Sequence, residues 1–145
     1  MINIFVTSVI DAPIDEVWKV IRGYNQLPAW HPAIDRSEIE DGLPEDTVGC
    51  VRNFYLKDGQ NIRERLIALS DLDYSFSYSM IETGMRMHDY ISSFECRPIT
   101  DGNKTYVQWV AEFTTDEGEE EAKATMVADG VFQGGFDALK AKFSK

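Results

Sequence analysis

No stretch of this chain is apolar for long enough to cross a bilayer. Its amino terminus, Met1-Ile2-Asn3-Ile4-Phe5-Val6, has neither the basic flank nor the small-residue cleavage site of a secretion signal. The sequence therefore predicts a cytoplasmic protein without membrane insertion. Positive charge is scarce as well: 14 Lys and Arg stand against 25 Asp and Glu, a net charge of −11. Such a surface repels phosphate backbones and anionic head groups, which argues against nucleic acid as a partner. Cysteine is limited to Cys50 and Cys96, and with two distant histidines these cannot form a zinc site of the usual spacing. Both thiols read as reduced and structural. No glycine-rich phosphate loop, metal-ligand run or nucleophile beside a histidine is found, so neither a metal nor another cofactor is expected.

What the chain does have is rings. Eight Phe, six Tyr and three Trp are many for 145 residues. Large rings on strands pack a core or line a cavity, and composition alone leaves both roles open. The length fits one domain, residues 1–145, able to hide roughly two-thirds of the surface its unfolded chain exposes.

Residues 2 to 10 alternate, with Ile4, Val6, Ser8 and Ile10 on one face, which predicts a strand. Asp11-Ala12-Pro13 stops it and opens a short helix carrying Val17, Trp18 and Ile21, closed by Gly23. A second helical turn through Asn25, Gln26 and Leu27 is expected to end near Pro28 or Pro32. From residue 34 to 115 the turn signals Asp41-Gly42, Asp58-Gly59, Asp71-Leu72-Asp73, Thr83-Gly84 and Asp101-Gly102 divide an antiparallel meander. They set strands at about 34–40, 48–56, 61–70, 74–82, 86–98 and 104–115. After Asp116 the period becomes helical. Glutamates 117, 119, 120 and 121 lie near the positive end, and Lys140, Lys142 and Lys145 near the negative end. Its apolar stripe runs through Ala124, Val127, Ala128, Val131, Phe132, Phe136, Leu139 and Phe143. Gly130, Gly134 and Gly135 interrupt that helix, each costing on the order of 1 kcal/mol relative to alanine, so close packing or room for a ligand must compensate. The element order defines an α+β domain.

Several segments carry a resemblance. They are Ile10-Asp11-Ala12-Pro13 followed by Val17-Trp18, then Trp30-His31-Pro32, Val48-Gly49-Cys50-Val51-Arg52, Asp58-Gly59, Glu64-Arg65-Leu66, Met87-His88-Asp89-Tyr90 and the carboxy-terminal helix. In this order they resemble the polyketide cyclase/dehydrase and lipid-transport group of the START and birch-pollen-allergen superfamily, across nearly the whole chain. The resemblance implies a helix-grip fold: a curved seven-stranded antiparallel sheet around a long carboxy-terminal helix, with two short helices after the first strand. It also implies a cavity between sheet and helix. The pattern is similar to that of plant abscisic-acid receptors, where Lys57-Asp58-Gly59-Gln60 would be the gate and Gly84-Met85-Arg86-Met87 the latch. Here the gate is shorter and lacks the small and proline residues those receptors carry.

Candidate site residues follow. His31, placed where relatives put a polar or cationic group, serves as acid, base or anion anchor, or alternatively braces the short helices. Glu64 alternates with Ile62 and Leu66 on the apolar face, where a carboxylate needs a partner, and Arg52 on the neighbouring strand is the natural one. That pair either lines the sheet structurally or recognises ligand. With the inward direction taken from the family, alternation adds Phe54 and Leu56, then Phe76, Tyr78 and Met80, then Tyr90, Ser92 and Phe94, then Trp109, Ala111 and Phe113. Met85 and Met87 flank the expected mouth, and Val127, Val131 and Gly135 complete the wall from the helix. Three functions remain: binding or transport of a small hydrophobic or amphipathic molecule; a cyclase, aromatase or dehydratase using His31 and Glu64 for proton transfer; and a ligand-responsive regulatory or stress protein. Oligomeric state, a homodimer included, is left open.

Overall fold

The computed structural model describes residues 1–144. Lys145, placed by its charge at the end of the last helix, lies outside the described residues. Seven antiparallel strands form one sheet: β1 (Ile2–Ile10), β2 (Ile34–Ile39), β3 (Val51–Leu56), β4 (Asn61–Ser70), β5 (Ser75–Thr83), β6 (Met87–Ile99) and β7 (Lys104–Thr115). Their order is β1-β7-β6-β5-β4-β3-β2, so the meander of β2 to β7 is capped by β1 pairing with β7, Ile4 opposite Ala111 and Ile10 opposite Thr105. Register breaks between Arg63 and Glu64, between Leu66 and Ala68, and between His88 and Ile91 mark bulges in β5, β4 and β6 respectively, which bend these strands. A curved sheet follows. Its concave face carries the buried rings Phe76, Tyr78, Phe94, Trp109 and Phe113.

β3 starts later than the expected residue 48. Gly49 adopts φ +100° and the Cys50 N–H bonds the Thr47 carbonyl, a turn that holds residues 47–50 out of the strand.

Between β1 and β2 lie α1 (Ile14–Ile21) and the single-turn α2 (Leu27–Trp30). α1 buries Val17, Trp18 and Ile21, and Trp18 Nε1–H donates to Asp71 Oδ1 at 2.8 Å, pinning the helix to the β4–β5 turn. Pro28 is the second residue of α2, which runs on to end at Trp30, just before Pro32, the later of the two ends expected. In a first turn the missing N–H has no intrahelical acceptor to lose, so proline is tolerated there.

The carboxy-terminal helix is a composite: α3 (Glu120–Thr125), a π-helical segment (Met126–Gln133) and α4 (Gly134–Lys142). The wider π turn shifts the buried face, so Val127 and Phe132, five residues apart, both point at the sheet before Phe136 and Leu139 resume the stripe. The interrupting glycines divide between the two compensations. A Cβ on Gly135 would sit 3.0 Å from both His31 Cδ2 and Trp109 Cζ3 and 3.2 Å from Trp30 Cζ3, whereas a Cβ on Gly130 would meet nothing within 4 Å. Gly135→Ala is therefore expected to lower the urea midpoint through about 1–3 kcal/mol of overpacking, less the gain in helix propensity. Gly130→Ala should raise it by up to about 1 kcal/mol. Equal midpoints for the two variants would contradict this division.

Candidate functional site

A cavity of about 200 Å³ lies between the concave face and the π-helical segment. From β3 come Arg52, Phe54 and Leu56; from β4 Ile62 and Glu64; from β5 and β6 Tyr78, Met80, Met87 and Tyr90; from β7 Trp109. The helix adds Met126, Val127, Gly130 and Val131, and the mouth is edged by Asp58 and Gln60. The wall is overwhelmingly apolar.

Its polar centre is the Arg52 and Glu64 pair, directly opposed across β3 and β4. Arg52 Nε–H and Nη2–H both donate to Glu64 Oε1, at 3.0 and 2.8 Å, and Nη1–H donates to the Tyr24 carbonyl at 3.0 Å. The guanidinium lies 4.1 Å from the Tyr24 ring centroid and 4.7 Å from that of Tyr78. Tyr24 in turn donates its hydroxyl to the Glu64 backbone carbonyl at 2.9 Å. Burial pushes the Glu64 carboxyl up from the usual range, opposed by the attraction of Arg52. For Arg52, burial is the largest influence and works against the cation, but Glu64 together with Tyr24 and Tyr78 outweighs it and holds the guanidinium charged. Two guanidinium donors on one carboxylate oxygen at 2.8–3.0 Å is the geometry of an ion pair whose two charges sum to zero. Burial also pushes the Tyr78 phenol up to about 12 and that of Tyr90 well above its usual range, so both hydroxyls keep their protons. Tyr78 Oη accepts from Trp109 Nε1–H at 3.0 Å.

His31 has both ring nitrogens engaged by backbone. Nδ1 accepts the Ala33 N–H at 3.2 Å, which leaves the proton on Nε2 to donate to the Val131 carbonyl at 2.7 Å. This imidazole braces the end of α2 against the π-helical segment. Burial, the largest influence, lowers its pKa below 6.5, and the bond to Val131 only partly opposes that shift. Below pH 6.5 the unfolded chain takes up a proton at this position before the folded one does. The stability His31 contributes is thus complete above pH 6.5 and is lost as pH falls toward the folded value. Unfolding midpoints measured from pH 7.5 to 5.5 should fall more steeply for the native protein than for His31→Gln. Parallel slopes would remove the brace from the account.

Most of the residues singled out from sequence share this cavity, but Phe76, Ser92, Phe94, Ala111, Phe113 and Gly135 do not line it. Near them the space between sheet and helix is filled: Phe132 stacks on Trp109 at 4.4 Å, Phe94 stacks on Phe76 at 5.9 Å, and Phe136 meets Phe94 edge-on. Ser92 spends its hydroxyl on the Val110 carbonyl at 2.7 Å. Sequence reasoning did not place Leu27, Ala33 and Ile34 in the wall, because they sit around α2 where no periodicity points inward. Ile62 was readable, since it shares a face with Glu64. Met126 falls off a 3.6-residue stripe and reaches the cavity through the π turn. Met85 and Met87, set at the mouth from sequence, are both buried.

Among the described residues no three His, Cys, Asp or Glu side chains gather as a metal-ligand set, and no helix is long and apolar enough to cross a membrane. Burial raises both cysteine thiols, leaving them poor nucleophiles.

A helix gripped by a curved sheet over an apolar cavity defines the helix-grip class of ligand-binding folds. Residues 1–144 match the family described as polyketide cyclase / dehydrase and lipid transport, and the chain belongs to that family. Among curated proteins it is 30% identical over 92 residues to the abscisic acid receptor PYL7 of Arabidopsis thaliana; the match takes in 61% of this chain and 42% of the receptor's length. Among solved structures it is similar to XoxI from Bacillus cereus, at 29% identity and TM-score 0.87, covering 99% of this chain and 96% of that one. A protein from Bacillus thuringiensis is similar at 27% identity and TM-score 0.87, covering 98% of each chain.

Proposed function

We propose that this protein binds or carries a small hydrophobic molecule in the cavity between its sheet and its carboxy-terminal helix. The observation that carries the reading is the cavity itself, apolar around one internally neutral polar pair, as in small-molecule sites where a few placed polar groups orient an otherwise greasy ligand. Its volume of about 200 Å³ is modest. A dry cavity of about 150 Å³ takes up benzene, so the guest is about the size of one substituted ring. Family membership and the name of the plant relative agree with ligand binding. The proton-transfer alternative has less support, because His31 holds its proton against a backbone carbonyl and Glu64 is bonded to Arg52.

The test is calorimetric titration with toluene of the native protein and of Val131→Phe, which places a ring in the wall. The native protein should bind, and the variant should keep its fold and bind at least about tenfold more weakly, the loss expected when a site of this size is filled. No binding by the native protein, or equal affinity for the two, would reject the reading.

A further inference from the structure

The Arg52 and Glu64 pair is complete in charge and incomplete in hydrogen bonding. Arg52 directs both of its bonds at Oε1, and among the described residues no hydrogen bond reaches Glu64 Oε2. No sealed side-chain oxygen or nitrogen among the described residues lacks a partner, so Oε2 is not sealed, and Glu64 lines the cavity. The open oxygen, on the carboxylate that Arg52 holds through Oε1, is thus an acceptor facing the space a guest would fill. Cationic donors are spoken for. The guanidinium is neutralised by Glu64, bonded to the Tyr24 carbonyl and lies against the Tyr24 and Tyr78 rings. His31 is held neutral by its two backbone partners, and the mouth carries a further carboxylate, the exposed Asp58.

Resting on the ligand-binding reading above, we propose that the cavity selects a neutral, single-ring-sized molecule that donates a hydroxyl proton to Glu64 Oε2, and that it rejects carboxylic acids. An entering carboxylate would meet an open carboxylate oxygen and no unpaired cation, losing its hydration without a counter-charge. An entering ammonium would add an unbalanced charge to a pair that already sums to zero. A hydroxyl meets an unsatisfied charged acceptor, the stronger kind of hydrogen bond. The polar preference is therefore opposite to what the name of the plant relative, an abscisic acid receptor, states for that protein.

Three probes sharing one ring test this on the full chain at pH 7.5 by calorimetry: toluene, benzyl alcohol and benzoate. The native protein should bind toluene and benzyl alcohol and show no heat with benzoate at concentrations that saturate with the alcohol. In the double variant Arg52→Met/Glu64→Leu, whose apolar pair keeps the volume filled, affinity for benzyl alcohol should drop about tenfold or more while toluene holds or improves. Benzoate binding as tightly as the alcohol to the native protein overturns the proposal without needing a variant. So does an alcohol affinity that survives in the double variant, or toluene binding without alcohol binding. Failure of all three probes on the native protein removes the cavity reading, and this inference with it.

Discussion

Arg52→Ala and Glu64→Ala will each destabilise the fold by about 3–5 kcal/mol, the usual result of leaving one charge of a buried pair without its partner. Both side chains are almost fully buried, at 3% and 5% exposure, and their contact is 2.8 Å. Removing Arg52 strands a carboxylate in an apolar cavity wall. Removing Glu64 strands a guanidinium left with the Tyr24 carbonyl and the ring faces of Tyr24, Phe54 and Tyr78. Replacing both together with apolar side chains of similar size, Arg52→Met/Glu64→Leu, should return stability to within about 1–2 kcal/mol of the native protein, because the desolvation of both charges disappears with their attraction. The Tyr24 carbonyl, which loses a donor, sets the remaining cost at about 1 kcal/mol. Urea unfolding of the four proteins completes the cycle. A double variant as damaged as either single would mean that the pair is a net stabiliser in its own right, and the account of it as a costly polar device would be wrong.

Phe132→Ala carries the second large effect, again about 3–5 kcal/mol. Phe132 is fully buried on the π-helical segment and stacks on Trp109 at 4.4 Å with the planes 11° apart, so its ring seats the helix on the sheet behind a wall residue of the cavity. Truncation leaves a void beside Trp109, a wall residue, and the surroundings cannot collapse without moving the helix. Leu72, 89% exposed in the β4–β5 turn, provides the contrast: Leu72→Ala should lie within about 0.5 kcal/mol of native. A Phe132→Ala loss as small as that of Leu72→Ala would show that the helix is not seated on the sheet through this ring.

Much of the fold was legible because turn chemistry and alternation are local. Asp41-Gly42, Asp58-Gly59 and the turn at Gly102 and Asn103 all adopt positive φ at one or both positions, as hairpin signals require. The cross-strand partnership of Arg52 and Glu64 was legible for a different reason: two charged residues on apolar faces of neighbouring strands have few other ways to be satisfied.

What escaped the sequence depended on geometry that no short pattern encodes. Alternation would put Met87 and Tyr90 on opposite faces, yet both face inward because the strand bulges around Asp89, which takes φ +53°. The π-helical segment has no distinctive composition, yet it decides that Met126 and Gly130 border the cavity while Gly135 packs against three rings. His31 could be picked out as a residue of interest, but its role turned on the carbonyl of Val131, 100 residues away. Which inward-facing rings line open space and which fill it is a matter of ångströms, and Phe76 and Phe94 fall on the filled side.

The five methionines report on the central claim directly. Met80, Met85, Met87 and Met126 line the cavity, and Met1 is 76% exposed at the amino terminus. With ¹³C-methyl methionine, titration with toluene should shift the four cavity signals in a saturable, common binding curve and leave Met1 where it is. Saturable binding with the four cavity methyls unmoved, or shifts confined to Met1, would mean that the guest sits elsewhere and that the space between sheet and helix is not the binding site.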